Sequence, residues 1–415
     1  MSRPRLLLAY HFFHPDDVIG ARLFTDLALE QQHRGWEVSA LTSNRVWKDP
    51  DSRLPSRENW NGIDIHRVPR PTWSQARALQ RLGNSGWMLG SWLAKAVLLP
   101  RFDAVVVGSD PAFAALLAPG VRIAQPNAAL VHWCFDLYPE AIAAERTLSA
   151  AASPLVPVAR GMMRFAYRHL DALVDLGPRM RERLAEYGSG VRQETLPPWA
   201  LFESDRPLEP DPAARAALFP RAKLALLYSG NIGRGHDFEA FLRLARACRA
   251  RAGDTVSLAF SVRGGRFADL RAAIAPDDSN VALVDFAEES ALLARLTAAD
   301  LHLVSLQQEW GGVVVPSKFF ASLAIGRPVL YAGPGDSEIA RWIDTHDIGL
   351  YLTRDTVDAV ADRLLRLADD RAALARWREN ALAVYRREWS KQVVNDRWDA
   401  LLRQLVARRG APSAG

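Results

Sequence analysis

Three loops of this 415-residue sequence hold the residues best suited to chemistry. The first is Ser229-Gly230-Asn231-Ile232-Gly233-Arg234-Gly235. Its glycines let backbone N–H groups approach an anion closely, and Arg234 offers a forked cation of the shape that suits a diphosphate. The second runs from Glu309 through Gly311, Gly312 and Val313 to Ser317 and Lys318. Here Glu309 can accept hydrogen bonds from sugar hydroxyls, the glycines free their amides, and Lys318 can meet a phosphate. Lysine is scarce in this chain, only five of the 52 cationic residues. The third is His132-Trp-Cys-Phe-Asp136-Leu-Tyr-Pro-Glu140. A carboxylate at Asp136 can orient an acceptor hydroxyl or stabilise positive charge developing on a sugar ring. Each loop also has a plainer reading: a structural turn, ordinary loop charges, and a helix cap at Asp136. Gly20, in the loop after the first apolar run, likewise reads as an anion-facing helix start or as a tight turn.

The elements that must carry these loops follow from apolar periodicity. Arg5–Tyr10 reads as a buried strand, Ala21–His33 as a helix stopped by Gly35, and Glu37–Thr42 as the next strand. Such βαβ units build parallel sheets with helices on both faces. Short runs at Ala104–Gly108, Ala129–His132 and Ala172–Leu176 continue the alternation to about residue 200. Pro197-Pro198 and Glu203–Pro212 read as a hinge. The alternation then restarts with strands at Leu224–Ser229, Val256–Val262, Val281–Val284, Leu301–Ser305 and Pro328–Tyr331, and a helix at Phe238–Ala250. The tail, Val357–Arg409, reads as helices rich in Ala, Leu and Arg. The fold class is therefore α/β, with two doubly wound domains. Such folds bind ligands at the carboxyl ends of their strands, and two of them would leave a cleft suited to a two-part ligand.

Composition narrows the function classes. The net charge of +5 is too small to imply a nucleic-acid binder, and two cysteines, Cys134 and Cys248, make no disulfide framework. No run of 18 or more residues is apolar and uncharged, and the amino terminus lacks the long apolar stretch of a secretory signal, so the expected location is the cytoplasm. Neither glycine-rich turn carries the full dinucleotide fingerprint, which places an NAD-dependent oxidoreductase last. Between Asp64 and Asp103 there is no acidic residue, while Arg70, Arg77 and Arg81 accompany Trp73, Trp87 and Trp92. Arginine and tryptophan among Leu, Met and Val describe a segment that can lie on an anionic membrane or meet an acceptor there; the same apolar face also reads as core.

On these residues the sequence resembles the family 4 glycosyltransferases, retaining enzymes with the two-domain GT-B fold. More narrowly, it is similar to bacterial enzymes of exopolysaccharide, O-antigen and colanic-acid assembly. The likeness runs along essentially the whole chain: Pro15, Gly20 and Arg22; Arg34-Gly-Trp-Glu-Val38; Asp136-Leu-Tyr-Pro139; Leu196-Pro-Pro-Trp199; Gly230-Asn-Ile-Gly-Arg234; and Pro316-Ser-Lys318 followed by Gly326-Arg-Pro328. It implies an acceptor-side domain over 1–200, a nucleotide-sugar domain over 207–389, and a last helix at about 390–415 packing back on the first domain. Gly20 would then lie beside the donor diphosphate, with Gly230, Asn231, Gly233 and Ser317 around the donor. Arg234 and Lys318 would neutralise the departing diphosphate. Glu309 and the amides of Gly311 to Val313 would hold the donor sugar, and Asp136 would lie near the acceptor or the reacting carbon. One departure stands out: Ala321 occupies the helical position where the family carries a second glutamate for the nucleotide ribose.

The expected activity is transfer of a sugar, of the hexosyl class, from a UDP- or GDP-linked donor to a hydroxyl acceptor, with retention. The basic tryptophan segment favours a lipid-linked acceptor at the inner face of the plasma membrane. No Asp-x-Asp motif sits at a strand end, so the reading has no metal and no cofactor besides the donor substrate. The alternatives are a sugar-nucleotide epimerase or phosphorylase on the same fold, and a non-catalytic partner subunit, which Ala321 would suit.

Overall fold

The computed structural model describes residues 3–49, 51–73, 78–145 and 155–410. The chain divides into two compact units: Met1–Pro197 with Gly312–Val314 and Val394–Gly415, and Pro198–Gly311 with Val315–Val393.

The first unit carries β1 (Arg5–Ala9), α1 (Ile19–His33), β2 (Glu37–Ser43), β3 (Arg57–Trp60), β4 (Ile63–Val68), α2 (Ala78–Leu98), β5 (Ala104–Gly108), α3 (Ala118–Ala124), β6 (Ala129–Trp133), α4 (Glu140–Ala144), α5 (Leu155–Tyr167), β7 (Ala172–Asp175), α6 (Pro178–Ala185) and β8 (Arg192–Thr195). Its eight strands lie in the order β3-β4-β2-β1-β5-β6-β7-β8, parallel except for β3 against β4. The central strands β1 and β5 are covered on both faces, which is why they read as unbroken apolar runs rather than as alternation. The antiparallel β3–β4 pair turns at Asn61-Gly62, both with positive φ, as a two-residue hairpin turn requires. Chain order runs outward from β1 to β2 on one side and from β5 to β6 on the other, so the sheet has its topological switch point between β1 and β5.

The second unit holds α7 (Pro212–Leu218), β9 (Leu224–Asn231), α8 (Glu239–Ala252), β10 (Val256–Arg263), α9 (Phe267–Ala273), β11 (Val281–Val284), α10 (Glu289–Thr297), β12 (Leu301–Ser305), α11 (Lys318–Leu323), β13 (Val329–Ala332), α12 (Glu338–His346), β14 (Gly349–Leu352), α13 (Val357–Asp369) and α14 (Arg371–Val384). Six parallel strands run β11-β10-β9-β12-β13-β14, with the switch point between β9 and β12. Leu226, Tyr228, Phe241, Leu244, Phe260 and Trp377 are among the residues of its main core.

The last helix, α15 (Lys391–Gly410), is counted from Val394 with the first unit. Trp398 meets Trp133 edge to face at 5.0 Å, Asp399 accepts the Trp36 indole N–H at 2.7 Å, and Arg34 pairs with Asp396 at 2.8 Å. Of the segments expected to form a hinge, Pro197-Pro198 falls where the two units divide, while Glu203–Pro212 is a correction. Ser204 and Leu208 donate backbone N–H to Ala324 and Ile325, Pro207 lies against Gly326, and Glu203 accepts from the Tyr385 hydroxyl. Prolines straighten this stretch, but its polar groups are tied to the second unit.

Candidate functional site

In the second unit the site grows from the end of β9. Gly230 has φ +126, a left-handed conformation that favours glycine, and the Lys318 chain crosses it so closely that a Cβ there would stand 2.7 Å from the lysine Cε. Lys318 begins α11, so the helix fixes where its chain starts and Gly230 leaves room for its end. Its Nζ donates to the Asn231 carbonyl at 2.9 Å, lies 3.3 Å from the Tyr228 hydroxyl and sits 4.8 Å from the centre of that ring. Burial pulls the lysine down to about 7.

His236 completes the cradle. Its Nδ1 accepts the Gly233 N–H at 3.1 Å, and burial and then Lys318 lower it to about 3, so the neutral ring carries its proton on Nε2. That N–H faces Lys318 Nζ at 3.4 Å. A neutral amine can accept it; an ammonium, with donors only, cannot. This contact therefore favours the uncharged lysine, and an anion beside it would draw a proton onto it. Arg234 projects from the same turn, exposed, with no hydrogen bond or ion pair among the described residues. Arg266 holds the turn from behind through the His236 carbonyl at 2.7 Å.

The loop after β12 is stitched to this turn. Gln307 N–H donates to the Gly235 carbonyl at 2.8 Å, and the Trp310 ring lies over Gly235, where a Cβ would come within 3.2 Å. The buried Trp310 indole N–H has no hydrogen-bond partner among the described residues. Glu309 is exposed on the short 3-10 turn Gln308–Trp310. Gly311, Gly312 and Val313 are buried; within the first unit's contacts, the Val313 carbonyl accepts from Leu137 N–H at 3.0 Å and Gly312, at φ +68, lies against Arg179. Ser317 stands before α11 without capping it. Ala321 lies one turn along the same helix as Lys318, so that turn presents a methyl group where the resemblance implies a carboxylate.

The first unit gathers acids instead. At its switch point, His11 Nδ1 meets the Asp110 carboxylate at 3.0 Å, and Ser109 Oγ accepts N–H bonds from Phe135 and Asp136 at 3.2 and 3.0 Å. Burial, then the Asp110 charge, raises Asp136 to about 7. Asp136 does not cap a helix: α4 begins four residues on, with Pro139 at the cap position. Gly20 is buried against Tyr10, whose hydroxyl would stand 2.1 Å from a Cβ at that position. Its glycine identity thus serves close helix-to-strand packing.

The tryptophan segment needs correction. Arg70 is buried, its guanidinium 5.1 Å from the Phe12 ring, and Trp92 is buried in the packing of α2. Neither can touch a membrane, because both side chains are buried. Trp73 and Trp87 are about half exposed, with the Trp87 indole donating to the Pro69 carbonyl. Arg77, and the side chain of Arg81, lie outside the described residues. Sequence reasoning passed over His236, Tyr228, His11 and Asp110. The only signal was position: Tyr228 lies in the second half of β9, and His11, Asp110 and His236 follow the carboxyl ends of β1, β5 and β9.

The family model for the glycosyl transferase 4-like domain matches residues 20–199. A probable glycosyltransferase, WbjE of Pseudomonas aeruginosa, is 28% identical over 258 residues, a match that spans 60% of this chain and 62% of that protein. Among solved structures, sucrose-phosphate synthase from Thermosynechococcus elongatus superposes with a TM-score of 0.73 at 14% identity, covering 98% of this chain and 100% of that one. WaaG, a glycosyltransferase involved in lipopolysaccharide biosynthesis, gives 0.64 at 15% identity over 95% and 99%. The fold is therefore the GT-B fold.

Proposed function

We propose that the chain is a family 4 glycosyltransferase and that it transfers a hexosyl group from a UDP- or GDP-linked sugar to a hydroxyl acceptor in polysaccharide or glycolipid assembly. The observation that carries this reading is the cation pair of the second unit: Lys318 laid across Gly230, and Arg234 on the same turn, unpaired among the described residues. As the bond from the anomeric carbon to the diphosphate oxygen breaks, negative charge collects on the leaving group, where fixed cations are most effective. The acceptor oxygen bonds to the carbon with retention, and its proton passes to the departing diphosphate oxygen. Glu309 and the Gly311–Val313 loop hold the donor sugar, Ser317 and Asn231 border the diphosphate, and Asp136 orients the acceptor or balances positive charge at the ring.

Because Arg234 and Lys318 supply the charge neutralisation, the reaction is proposed to need no metal and no cofactor. Transfer should persist at full rate in a chelator, and restoration by added magnesium would reject that part. The acceptor is proposed to be lipid-linked, with the protein peripheral on the inner face of the plasma membrane; the lipopolysaccharide role stated for WaaG supports this. The test is a donor-panel transfer assay read by mass spectrometry on the protein and its Lys318→Ala and Arg234→Ala variants. Nucleoside diphosphate released only when acceptor is present, and lost in the variants, is the expected result. Unchanged transfer in both variants would reject the assignment.

A further inference from the structure

Helix α5 shows solvent an apolar face that nothing in the first unit covers among the described residues. Its inner side packs Met163, Ala166 and Tyr167 against the unit, with the Tyr167 ring 5.1 Å from that of Tyr187. Its outer side leaves Leu155, Val158, Met162 and Phe165 at 63%, 60%, 50% and 57% exposure. At 3.6 residues per turn these four fall within an arc of roughly 80°. Arg160, Arg164 and Arg168, spaced by four, are all exposed and fill a second arc of about the same width on the same outer side. Arg160 is paired with Glu140, but Arg164 and Arg168 have no acidic partner among the described residues. No acidic residue occurs between Glu145 and Asp171. The helices beside it add to the pattern. α5 packs on α3, and α3 on α2, and these expose Ile123, Val97 and Leu98.

A soluble surface scatters its exposed apolar residues singly; four in register on one helix mark a contact surface. The arginine row decides which contact. An apolar protein partner has no use for a parallel cationic rail, whereas a bilayer with anionic headgroups takes both, apolar side chains at the acyl boundary and guanidiniums at the phosphates. We propose that α5 is the membrane-docking element of this protein and that its occupant is an anionic lipid surface. This moves the contact from the tryptophan segment to a helix that sequence analysis passed over. It rests on the proposed transfer reaction only for its purpose, which is to bring the first unit to a lipid-borne acceptor.

The experiment is co-sedimentation of the full chain with vesicles of phosphatidylcholine alone or mixed with phosphatidylglycerol, with UDP and GDP binding measured calorimetrically on the same preparations. The chain should pellet with the mixed vesicles only. Val158→Asp/Phe165→Asp should abolish pelleting, Arg164→Gln/Arg168→Gln should weaken it by roughly tenfold or more, and Trp87→Ser should leave it within about twofold. Variants that pellet like the parent would overturn the proposal, as would a parent that ignores anionic vesicles. Self-association removed by Val158→Asp/Phe165→Asp, without vesicle binding, would overturn it in favour of a second copy as occupant. Vesicle binding with no nucleotide binding would reject the transfer reading and leave the docking surface standing.

Discussion

The two units share a doubly wound sheet yet furnish their switch points with opposite charge. In the second, the turn after β9 opens at Gly230 and admits a lysine, with Arg234 exposed beside it and unpaired among the described residues. In the first, the corresponding junction after β1 is closed by Gly20 on Tyr10, and the groups that collect there are Asp110, Asp136 and His11. On the proposed function, the same topology would offer one surface for a leaving anion and one for a hydroxyl that must be oriented. The difference arises where a glycine is used: at Gly230 it makes room for a functional side chain, at Gly20 it lets a helix close over an aromatic ring.

That contrast can be broken by substitution. The largest expected effect is structural. Trp398→Ala removes a buried ring packed on Trp133 and should lower stability by about 3–5 kcal/mol, seen as a fall in melting temperature. Lys318→Ala should cut kcat/KM by roughly 10²–10³-fold with melting temperature nearly unchanged, and Arg234→Ala, more exposed, by about tenfold. A stability loss that matched the activity loss would make Lys318 a structural residue. Asp136→Asn should lower kcat by about 10²-fold and flatten the acidic limb of the pH profile.

The sign of that limb follows from the charges. Asp136, raised to about 7, is neutral below that pH, so a role for its anion makes activity rise with pH through 7. Lys318, lowered to about 7, loses its charge above that pH, so donor capture falls as pH rises. Together they give a bell centred near neutrality. The smallest effect is calorimetric: nucleoside diphosphate binding near pH 7.5 should take up a fraction of a proton, detected as a heat that varies with the buffer's ionisation enthalpy. No dependence on buffer would mean that Lys318 is already charged in the free protein.

Much of the architecture was legible because buried parallel strands are written as short apolar runs. Ala104–Gly108, Val281–Val284 and Leu301–Ser305 appear at the expected residues. Of the strands that were missed, β3, β8 and β14 lie at edges, while β4 lies inside its sheet between β3 and β2. β3 and β8 carry Arg, Glu, Asn and Gln, since an edge strand with one solvated face need not be apolar. At the sites, the loops that bear Arg234, Lys318 and Asp136 announced themselves by glycine, lysine scarcity and strand-end position. Their partners did not. His236 acquires its role from a tautomer set by Gly233 N–H, and Asp136 acquires its raised pKa from burial and then from Asp110, in the loop after β5. Trp87 and Trp92 were indistinguishable as letters, and only packing left one half exposed and enclosed the other.

The sequence by itself determined two parallel α/β sheets, the order of their strands' apolar runs and the loops at their carboxyl ends, because local periodicity and turn chemistry are short-range properties. Tertiary structure alone decided which glycine admits a lysine, which arginine stays unpaired and which helix face is left uncovered. Those outcomes depend on groups far apart in the chain, and burial, not residue type, sets their charge and exposure.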